Sequence, residues 1–250
     1  MTSFAVISDL HSNLEAVEAV FARIDQLGVS EVVCLGDVVG YGADPAPVAR
    51  IVMQRCKWTI KGNHDWGLFH NLDEFNPLAR EALYYTRRKL KPSLWAPHRR
   101  AAWNFLRTLP ETRQDHGCLF FHGSPSDPVM EYVLKSDGFL EPEKMHRIFS
   151  AIDRPSFVGH THWPGIHRKD YRFTQATDEE RSFALDGEPC VVNVGSVGQP
   201  RDGDPRASFA VVTDGTVEIH RVPYDFRRTQ AKILAAGLHP ALAERLARGK

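Results

Sequence analysis

The chain has 250 residues, and its 31 basic residues are balanced by 31 acidic ones, so the formal net charge is zero. A hydrophobic fraction of 42% and a charged fraction of 25% are typical of a globular protein and exclude a disordered chain, a collagen and a coiled coil. Without a basic excess, a general nucleic-acid binder and a polybasic membrane anchor are also disfavoured. The unusual count is that of histidine, at 12.

The N-terminus and the cysteines bear on the cellular compartment. The first residues carry no charged n-region and run into a strand-like segment at Phe4, so we expect no signal peptide. No apolar run approaches the roughly 18 residues of a membrane span. The four cysteines form no CxxC pair, and we expect them to be buried and reduced. These features predict a cytoplasmic protein with no membrane partner.

Short apolar segments alternate along the chain with helical patterns, which is typical of βα units. The sequence predicts strands at 4–7, 31–35, 58–60, 118–121, 156–158, 190–192, 207–213 and 216–220. It predicts helices at 12–27, 44–52 and 142–152, irregular helices over 76–109, and two short helices split by Pro240 over 226–247. Ser12 and Glu15 form a candidate capping box. Asp214-Gly215 is a DG turn, so the last two strands form a hairpin.

Polar side chains follow five of these strands at their carboxyl ends. In chain order the five blocks are Asp9-Leu10-His11, Gly36-Asp37, Gly62-Asn63-His64-Asp65, His122-Gly123 and Gly159-His160-Thr161-His162. Open α/β sheets bind ligands at that edge, and glycine lets the backbone turn sharply there. One block alone suits a turn as well as a ligand set. Five together predict a site, because turns do not require so many imidazoles.

The residue types in these blocks suit a divalent metal. Carboxylate oxygen, amide oxygen and neutral imidazole are ligands for Mn, Fe, Zn, Co or Ni, and the lack of cysteine disfavours a structural thiolate zinc site. The seven candidate ligands are Asp9, His11, Asp37, Asn63, His122, His160 and His162. Seven donors are too many for one tetrahedral ion and suit two ions that share a carboxylate. Two ions about 3.5–4 Å apart can clamp a phosphoryl group and bridge an activated water.

In order and spacing, the five blocks resemble those of the calcineurin-like metallophosphoesterase superfamily, and most closely its compact bacterial and archaeal phosphodiesterase-like branch. The blocks run from residue 9 to residue 162, and the run from Asn193 to Arg201 resembles a later strand-end motif of that branch. The resemblance implies an α/β fold with a four-layer α/β/β/α sandwich. It also implies a single domain over 1–250, with a helical basic insertion at about 76–109.

The resemblance further implies a role for each site residue. One metal would be held by Asp9, His11, Asp37 and His162, and the second by Asp37, Asn63, His122 and His160. His64 would contact the phosphate and help the leaving group depart, and Asp65 would orient it. The expected reaction is a single in-line hydrolysis of a phosphate ester by a hydroxide that bridges the two metals.

Two further features concern the substrate. Arg201 follows a Gly-Gln-Pro turn and either holds a phosphate oxygen or pairs with Asp202 or Asp204. Over residues 80–107, eight Lys and Arg side chains oppose a single Glu. That segment is either a cationic flap that meets extra substrate phosphates or a solvated helix face.

Some side chains near the blocks have two open interpretations. Tyr41, Trp66 and Trp163 lie within a few residues of candidate ligands and could stack on a base, although core packing is the commoner role. Asn13 touches the metal edge or caps a helix. The seven histidines outside the blocks are expected to have surface or packing roles.

These features favour a metal-dependent phosphodiesterase or phosphatase acting on a small phosphoester, with nucleotides among the candidate substrates. The alternatives are a nucleotide polyphosphate hydrolase, a protein phosphatase and a metal-bound scaffold without catalysis. The block at 36–42 lacks the arginine that protein phosphatases of the superfamily carry, which counts against a protein substrate. The intact ligand set and His64 count against a scaffold. The native metals and the oligomeric state are left open.

Overall fold

The computed structural model describes residues 3–250, apart from the side chain of His98. In chain order its strands are β1 (Ser3–Ile7), β2 (Glu31–Cys34), β3 (Trp58–Thr59), β4 (Thr112–Asp115), β5 (Cys118–Phe121), β6 (Ser156–Val158), β7 (Gly165–His167), β8 (Phe173–Gln175), β9 (Ser182–Ala184), β10 (Val191–Asn193), β11 (Ala207–Thr213) and β12 (Thr216–Val222).

The helices are α1 (Leu14–Gln26), α2 (Pro45–Arg55), α3 (Asn63–Gly67), α4 (Pro77–Leu90), α5 (Arg100–Arg107), α6 (Asp137–Leu140), α7 (Pro142–Ser150), α8 (Phe226–Ala235) and α9 (Pro240–Glu244). Short 3-10 helices cover Pro97–Arg99 and Arg245–Arg248. None of the helices within residues 3–250 is both long and apolar enough to cross a bilayer.

The strands form two six-stranded sheets. The first has the order β3-β2-β1-β11-β12-β9 and the second the order β4-β5-β6-β10-β7-β8. In the first sheet β1, β2 and β3 are parallel, and in the second β5, β6 and β10 are parallel. The carboxyl ends of these parallel strands carry the five polar blocks. The sheet order therefore decides which blocks can meet.

The alternation of side chains along β1 shows how the layers are stacked. Ala5 and Ile7 pack against helices α1 and α2, whereas Phe4 and Val6 face the core between the two sheets. That inner core is completed from the second sheet by residues such as Phe120 and Phe157. A strand of period two thus supplies two hydrophobic layers at once.

Helix α7 covers the outer face of the second sheet, where Met145 and Ile148 pack against Phe121, Val158 and Val191. Helices α1 and α2 cover the outer face of the first sheet. The order of layers is therefore helix, sheet, sheet, helix. The predicted four-layer α/β/β/α sandwich is confirmed, while the single domain over 1–250 stays a prediction.

Several short strands lack a sequence signal. Strand β4 reads Thr-Arg-Gln-Asp and is mostly exposed, and β7, β8 and β9 have three residues each. Strands β4, β8 and β9 lie at sheet edges. An edge strand has a neighbouring strand on one side only, so its sequence need not show the apolar pattern of a central strand. Their pairing partners, rather than their own periodicity, make them strands.

The predicted capping box at the start of α1 is wrong. Asn13 is the N-cap, and its Oδ1 accepts a hydrogen bond from the backbone N–H of Ala16 at 3.2 Å. Ser12 instead adopts a left-handed backbone conformation with φ of 54°. The Asn13 Nδ2 also donates to the carbonyl of Gly198 at 2.8 Å, so this residue joins the helix start to the later motif.

Candidate metal centre

The structure brings the five polar blocks together at one edge of the sandwich. Asp9 and His11 follow β1, Asp37 follows β2, and Asn63 begins α3 after β3. His122 follows β5, and His160 and His162 follow β6. All seven predicted ligands are buried, with no side chain more than 8% exposed. Side chains as far apart along the chain as Asp9 and His162 therefore share one buried cluster.

Backbone geometry aims these side chains into the cluster. Five of the seven have positive φ values: Asp9 (55°), His11 (47°), Asp37 (50°), His160 (65°) and His162 (63°). Residues other than glycine rarely adopt this conformation, and each instance costs of the order of 1–3 kcal/mol. Such strain persists only where the surrounding contacts hold it, and it concentrates at functional sites.

Two glycines leave room for the functional side chains. A Cβ atom on Gly62 would lie 2.1 Å from Asp37 Oδ1, and one on Gly40 would lie 2.2 Å from His64 Nδ1. Gly40 also has φ of +100°. Any larger residue at these two positions would displace Asp37 or His64.

The first group of donors joins the two sheets. His162 Nε2 lies 3.1 Å from Asp9 Oδ1 and 3.2 Å from His11 Nε2. His11 Nε2 lies 3.8 Å from the same Asp9 oxygen. One ligand atom from each of these three residues lies within 4.8 Å of the others, which is close enough for one metal ion.

Asp37 links this group to a second one. Its Oδ2 lies 3.6 Å from His11 Nε2 and 3.5 Å from His122 Nε2. His122 Nε2 is in turn 3.3 Å from Asn63 Oδ1. The donors of Asp37, His122 and His160 also lie within 4.8 Å of one another. A carboxylate that lies between two groups of donors is placed to act as a ligand shared by two neighbouring cations.

Backbone carbonyls orient the imidazole rings from outside. The Nδ1 atoms of His11, His122 and His162 lie 3.2, 2.9 and 2.5 Å from the carbonyls of Val39, Leu35 and Gln199. His160 uses the other nitrogen, with Nε2 3.0 Å from the carbonyl of Met130. A carbonyl only accepts, so each of these outer nitrogens carries the proton and the inner one presents a lone pair.

The inward nitrogens test whether a metal fits. The Nε2 atoms of His11 and His162 are 3.2 Å apart, yet both present lone pairs once their Nδ1 atoms donate to carbonyls. Two acceptors cannot hydrogen-bond to each other, but both can ligate a cation. The side chains therefore fit a metal ion, and the carbonyls supply the outer support typical of metal-binding histidines.

Burial keeps the imidazoles neutral. Desolvation is the main cause that lowers the pKa of His11 and His160 well below the usual value, and the pKa values of His122 and His162 are lowered for the same reason. Neutral imidazole is the form that ligates a metal. The cluster thus offers lone pairs near neutral pH.

The pKa values of the two carboxylates, Asp37 and Asp9, are shifted in opposite directions. Burial and the neighbouring charge of Asp9 hold the pKa of Asp37 well above its usual range. Burial also acts to raise the pKa of Asp9, but His162, His122 and His11 in their protonated form outweigh it, and the net pKa is lowered. A bound divalent cation favours the ionised form of both groups.

His64 lies beside the cluster, and its surroundings differ from those predicted. Its backbone N–H donates to Asp37 Oδ1 at 2.8 Å, and its ring centroid lies 4.8 Å from that of His11. Its Nδ1 is buried and has no hydrogen-bond partner among residues 3–250. Burial lowers its pKa well below the usual value. His64 also borders the open cavity next to the cluster.

Among the described residues, the Asp65 carboxylate makes no hydrogen bond to the His64 ring. Its Oδ2 accepts hydrogen bonds from the backbone N–H groups of Gly62 at 3.1 Å and Val38 at 3.4 Å. Burial raises its pKa to about 7, although these N–H groups act in the opposite direction. The interpretation that Asp65 orients His64 is therefore wrong. Asp65 instead braces the loop that carries Asp37 against the first turn of α3.

A cavity of about 220 Å³ opens over the cluster. One wall is formed by Phe75, Asn76 and Ala79, around the start of α4, and another by Met130 and Tyr132 from the loop after β5. The Tyr132 ring stacks on His160 with centroids 3.7 Å apart. Sequence reasoning missed Met130 and Tyr132, because the loop at 122–136 has no periodic pattern.

Arg201 lies on the cavity, and its side chain shows which of its two interpretations holds. Its Nη2 donates to Gln199 Oε1 at 2.9 Å. Asp202 and Asp204 are instead occupied by Arg221 and Arg206. The alternative that Arg201 forms an ion pair with its neighbours is therefore wrong. Its role in binding substrate stays a prediction.

The basic segment at 80–107 does not cover the metal edge. Among the described residues, none of its eight cationic side chains borders the cavity. Arg87 donates instead to the carbonyls of Leu68 at 3.0 Å and Gly67 at 2.6 Å, and also to that of His70. The alternative of a cationic flap that meets substrate phosphates is therefore wrong, because none of these side chains borders the cavity among the described residues. Only the start of α4 reaches the cavity.

The three aromatic residues that the sequence singles out differ in whether they reach the cavity. Tyr41 borders the cavity, and its ring centroid lies 4.5 Å from that of His64. Trp66 stacks on His70 at 3.8 Å, and the Trp163 ring lies 3.4 Å from Lys135 Nζ. Within the described residues, neither tryptophan lines the cavity. Only Tyr41 is positioned to meet a ligand there.

The motif at 193–201 braces the centre from behind. Asn193 Nδ2 donates to Gly159 O at 2.7 Å and to Thr161 Oγ1 at 2.8 Å, which holds the turn between His160 and His162. Ser196 Oγ donates to Asp9 O at 2.9 Å. The resemblance marked this run, but only the contacts reveal the support that it provides.

A buried His/Asp centre at the strand ends of a four-layer sandwich defines a class, the metal-dependent phosphoesterases. A family model described as the calcineurin-like phosphoesterase superfamily domain matches residues 2–216. The chain belongs to this superfamily, and the predicted family and enzyme class, a phosphoric-ester hydrolase, are confirmed.

Individual relatives cover nearly the whole chain. It is 33% identical to an uncharacterized protein of Methanocaldococcus jannaschii over 98% of both chains. Among solved structures, a metallophosphoesterase from Sphaerobacter thermophilus has a TM-score of 0.84 at 36% identity, with 99% of each chain covered. A hypothetical protein from Pyrococcus horikoshii has a TM-score of 0.79 at 20% identity, over 100% of this chain and 99% of the other, and supports the fold alone.

Proposed function

We propose that this enzyme hydrolyses a small phosphodiester or phosphomonoester with two divalent metal ions bound at the strand-end centre. The observation that carries the proposal is the position of Asp37 Oδ2, 3.6 Å from His11 Nε2 and 3.5 Å from His122 Nε2. One carboxylate oxygen between two imidazole lone pairs suits a ligand shared by two cations.

The seven proposed metal ligands form two sets that share Asp37. One metal would be held by Asp9, His11, Asp37 and His162, and the other by Asp37, Asn63, His122 and His160. When bound, two such ions neutralise charge on the phosphoryl oxygens and supply an activated water for in-line attack. Manganese, iron, zinc, cobalt and nickel all suit these ligands.

His64 and Arg201 act on the substrate rather than on the metals. His64 contacts the departing oxygen, as a general acid or as an electrostatic partner, a role that its position beside the cluster and on the cavity supports. An anionic phosphoryl group bound beside it would offset the burial that lowers the pKa of His64, and would thereby favour the protonated ring. Arg201 binds a non-bridging phosphate oxygen, since its guanidinium faces the cavity without a carboxylate partner among the described residues. Asn63 contacts both the second metal and the substrate.

We also propose a cytoplasmic location and a small-molecule partner rather than a membrane or nucleic acid. The cysteines support this location, because all four are free and three are buried. A cavity of about 220 Å³ supports a small ligand.

A substrate panel on metal-defined protein tests the proposal. We expect bis-p-nitrophenyl phosphate or p-nitrophenyl phosphate to be hydrolysed with added Mn²⁺, and EDTA to abolish turnover. Two equivalents of bound metal by elemental analysis would support the dinuclear centre, and one equivalent at full activity would contradict it. Silence with every metal and ester would favour the scaffold alternative, and selective turnover of a phosphopeptide would favour a protein phosphatase.

A further inference from the structure

The cavity over the metal centre has a carboxylate on its wall that the proposed reaction does not use. Glu74 borders the cavity and is exposed, in the loop between α3 and α4. Among the described residues, it is the only acidic side chain on the cavity besides the proposed metal ligand Asp37. A ligand that extends outward from the metal centre therefore meets a negative charge.

Contacts with Arg80 hold the loop at Glu74 without neutralising its carboxylate. Arg80 Nη2 donates to the carbonyls of Asp73 and Phe75, each at 3.1 Å, so the backbone is held on both sides of Glu74. The side-chain amide of Asn71 donates to Asp73 Oδ2 at 2.6 Å and not to Glu74. Within the described part of the chain, the Glu74 carboxylate has neither an ion pair nor a hydrogen bond. Its charge is therefore available to a ligand.

The residues that follow Glu74 lie next to His64. The ring centroid of Phe75 is 5.7 Å from that of His64, and Phe75 borders the same cavity. Asn76 borders the cavity as well, and it is fixed as the N-cap of α4, since its Oδ1 accepts a hydrogen bond from the backbone N–H of Ala79 at 3.0 Å. A leaving group whose oxygen contacts His64 therefore has this wall as its neighbour.

The one cation on the cavity belongs to the metal side. Among the described residues, Arg201 is the only Lys or Arg side chain that borders the cavity. Its Nη2 donates to Gln199 Oε1 at 2.9 Å, and the Gln199 carbonyl lies 2.5 Å from His162 Nδ1, so Arg201 is tied to a metal ligand. A second anionic group of a substrate would meet Glu74 without a further cation to compensate it, and like charges repel.

We propose that Glu74 selects the substrate by the charge of its leaving group. It favours esters whose leaving group is neutral or cationic and carries hydroxyl or amine donors, and it disfavours a leaving group with a further phosphate or carboxylate. An ionised carboxylate only accepts hydrogen bonds, and its charge strengthens them. This inference rests on the proposed function, because it requires the attacked phosphate to lie at the metals. It makes a nucleotide polyphosphate the least suited of the candidate substrates.

Three phosphonates that differ in one para substituent test the charge preference. Phenylphosphonate is neutral at that position, 4-carboxyphenylphosphonate is anionic and 4-(aminomethyl)phenylphosphonate is cationic, and their P–C bonds resist hydrolysis. Their dissociation constants are measured by calorimetry on Mn²⁺-loaded protein. For Glu74→Gln we expect the anionic compound to bind about fivefold more tightly and the cationic one about fivefold more weakly, the scale of one exposed charge pair. Phenylphosphonate should bind unchanged.

Glu81→Gln is the matched control, because Glu81 is exposed on α4 and does not border the cavity. It makes the same change of charge and should leave all three dissociation constants unchanged. The shifts in Glu74→Gln should shrink in about 1 M KCl, because salt screens exposed charges. Equal shifts for the three compounds, no shift for any, or an equal effect of Glu81→Gln would each overturn the charge preference. Glu74→Ala gives the same comparison should Glu74→Gln lower the thermal midpoint.

Turnover separates this inference from the proposed function. A protein that hydrolyses no ester but shows opposite shifts for the two charged phosphonates in Glu74→Gln would retain the charge preference and contradict the proposed catalysis. Hydrolysis of p-nitrophenyl phosphate without those shifts would contradict the charge preference alone. Failure of all three phosphonates to bind would also contradict it, because no phosphoryl group would then be held beside Glu74.

Discussion

The strand-end centre and the basic segment at 80–107 both had the composition of a phosphate site, and only the first is built as one. At the centre, the imidazoles are buried and tied to carbonyls, and Asp37 lies between two of them. In the basic segment Arg87 binds carbonyls, while Arg88 and Arg100 are exposed. A cluster of charged side chains therefore does not by itself identify a ligand site. A cluster of buried metal-donor atoms that cannot hydrogen-bond to one another does.

The largest effect should come from breaking the centre at Asp37. Asp37→Ala removes the shared ligand, so we expect bound metal to fall and turnover to drop more than about 10³-fold, the scale of electrostatic stabilisation in active sites. Elemental analysis and the bis-p-nitrophenyl phosphate assay measure the two losses. The exposed Asp186→Ala is the control. Full metal content with full activity in Asp37→Ala would exclude a bridging role.

His64→Ala should separate metal binding from turnover. Because His64 is proposed to contact the departing oxygen and not to hold a metal, we expect the metal content to be kept and turnover to fall about 10³-fold, within the range of general acid–base catalysis. His70→Ala, at a histidine stacked on Trp66 outside the cavity, should have little effect. Loss of metal in His64→Ala would assign His64 to the ligands instead.

Gly40→Ala should act through His64. The new Cβ would meet His64 Nδ1 at 2.2 Å, and we expect turnover to fall about 10²-fold, as for a displacement of about 1 Å in an active site. Gly237→Ala is matched in backbone, with φ of +72° and no atom within 4 Å. It should lower stability by about 1 kcal/mol and leave turnover unchanged. Equal turnover in the two variants would contradict the positioning of His64 by Gly40.

In the basic segment, Arg87→Met should change stability and not substrate affinity. Its guanidinium satisfies carbonyls of Gly67 and Leu68, so we expect the free energy of unfolding in urea to fall by about 2 kcal/mol. The KM for each phosphoester should be unchanged. A raised KM with unchanged stability would return this segment to the substrate site.

The smallest effect should come from reversing the exposed charges. The double variant Arg88→Glu and Arg100→Glu should change stability by no more than about 0.5 kcal/mol and leave the KM of p-nitrophenyl phosphate and of a nucleoside diphosphate unchanged. Isothermal unfolding and initial-rate kinetics measure these values. An increase in KM confined to the diphosphate would show that the basic face contacts the substrate.

The sequence predicted the centre well, for a physical reason. Each block directly follows a short apolar strand, and the ends of parallel strands meet at one edge, so Asp9, Asp37 and His122 could be grouped before any contact was known. Asp65 was misassigned because adjacency to His64 in the chain does not set the direction of a side chain. In the first turn of α3 its carboxylate reaches the backbone N–H groups of Gly62 and Val38.

The sequence by itself determined the main strands, the layered α/β fold and the residue types of the centre, because periodicity and strand-end chemistry are local properties. Only the tertiary structure decided the edge strands β4, β8 and β9, whose pairing depends on distant partners. It alone turned the basic segment away from the cavity and placed Glu74 on it. Those arrangements follow from which surfaces pack together, and no window of the sequence contains that information.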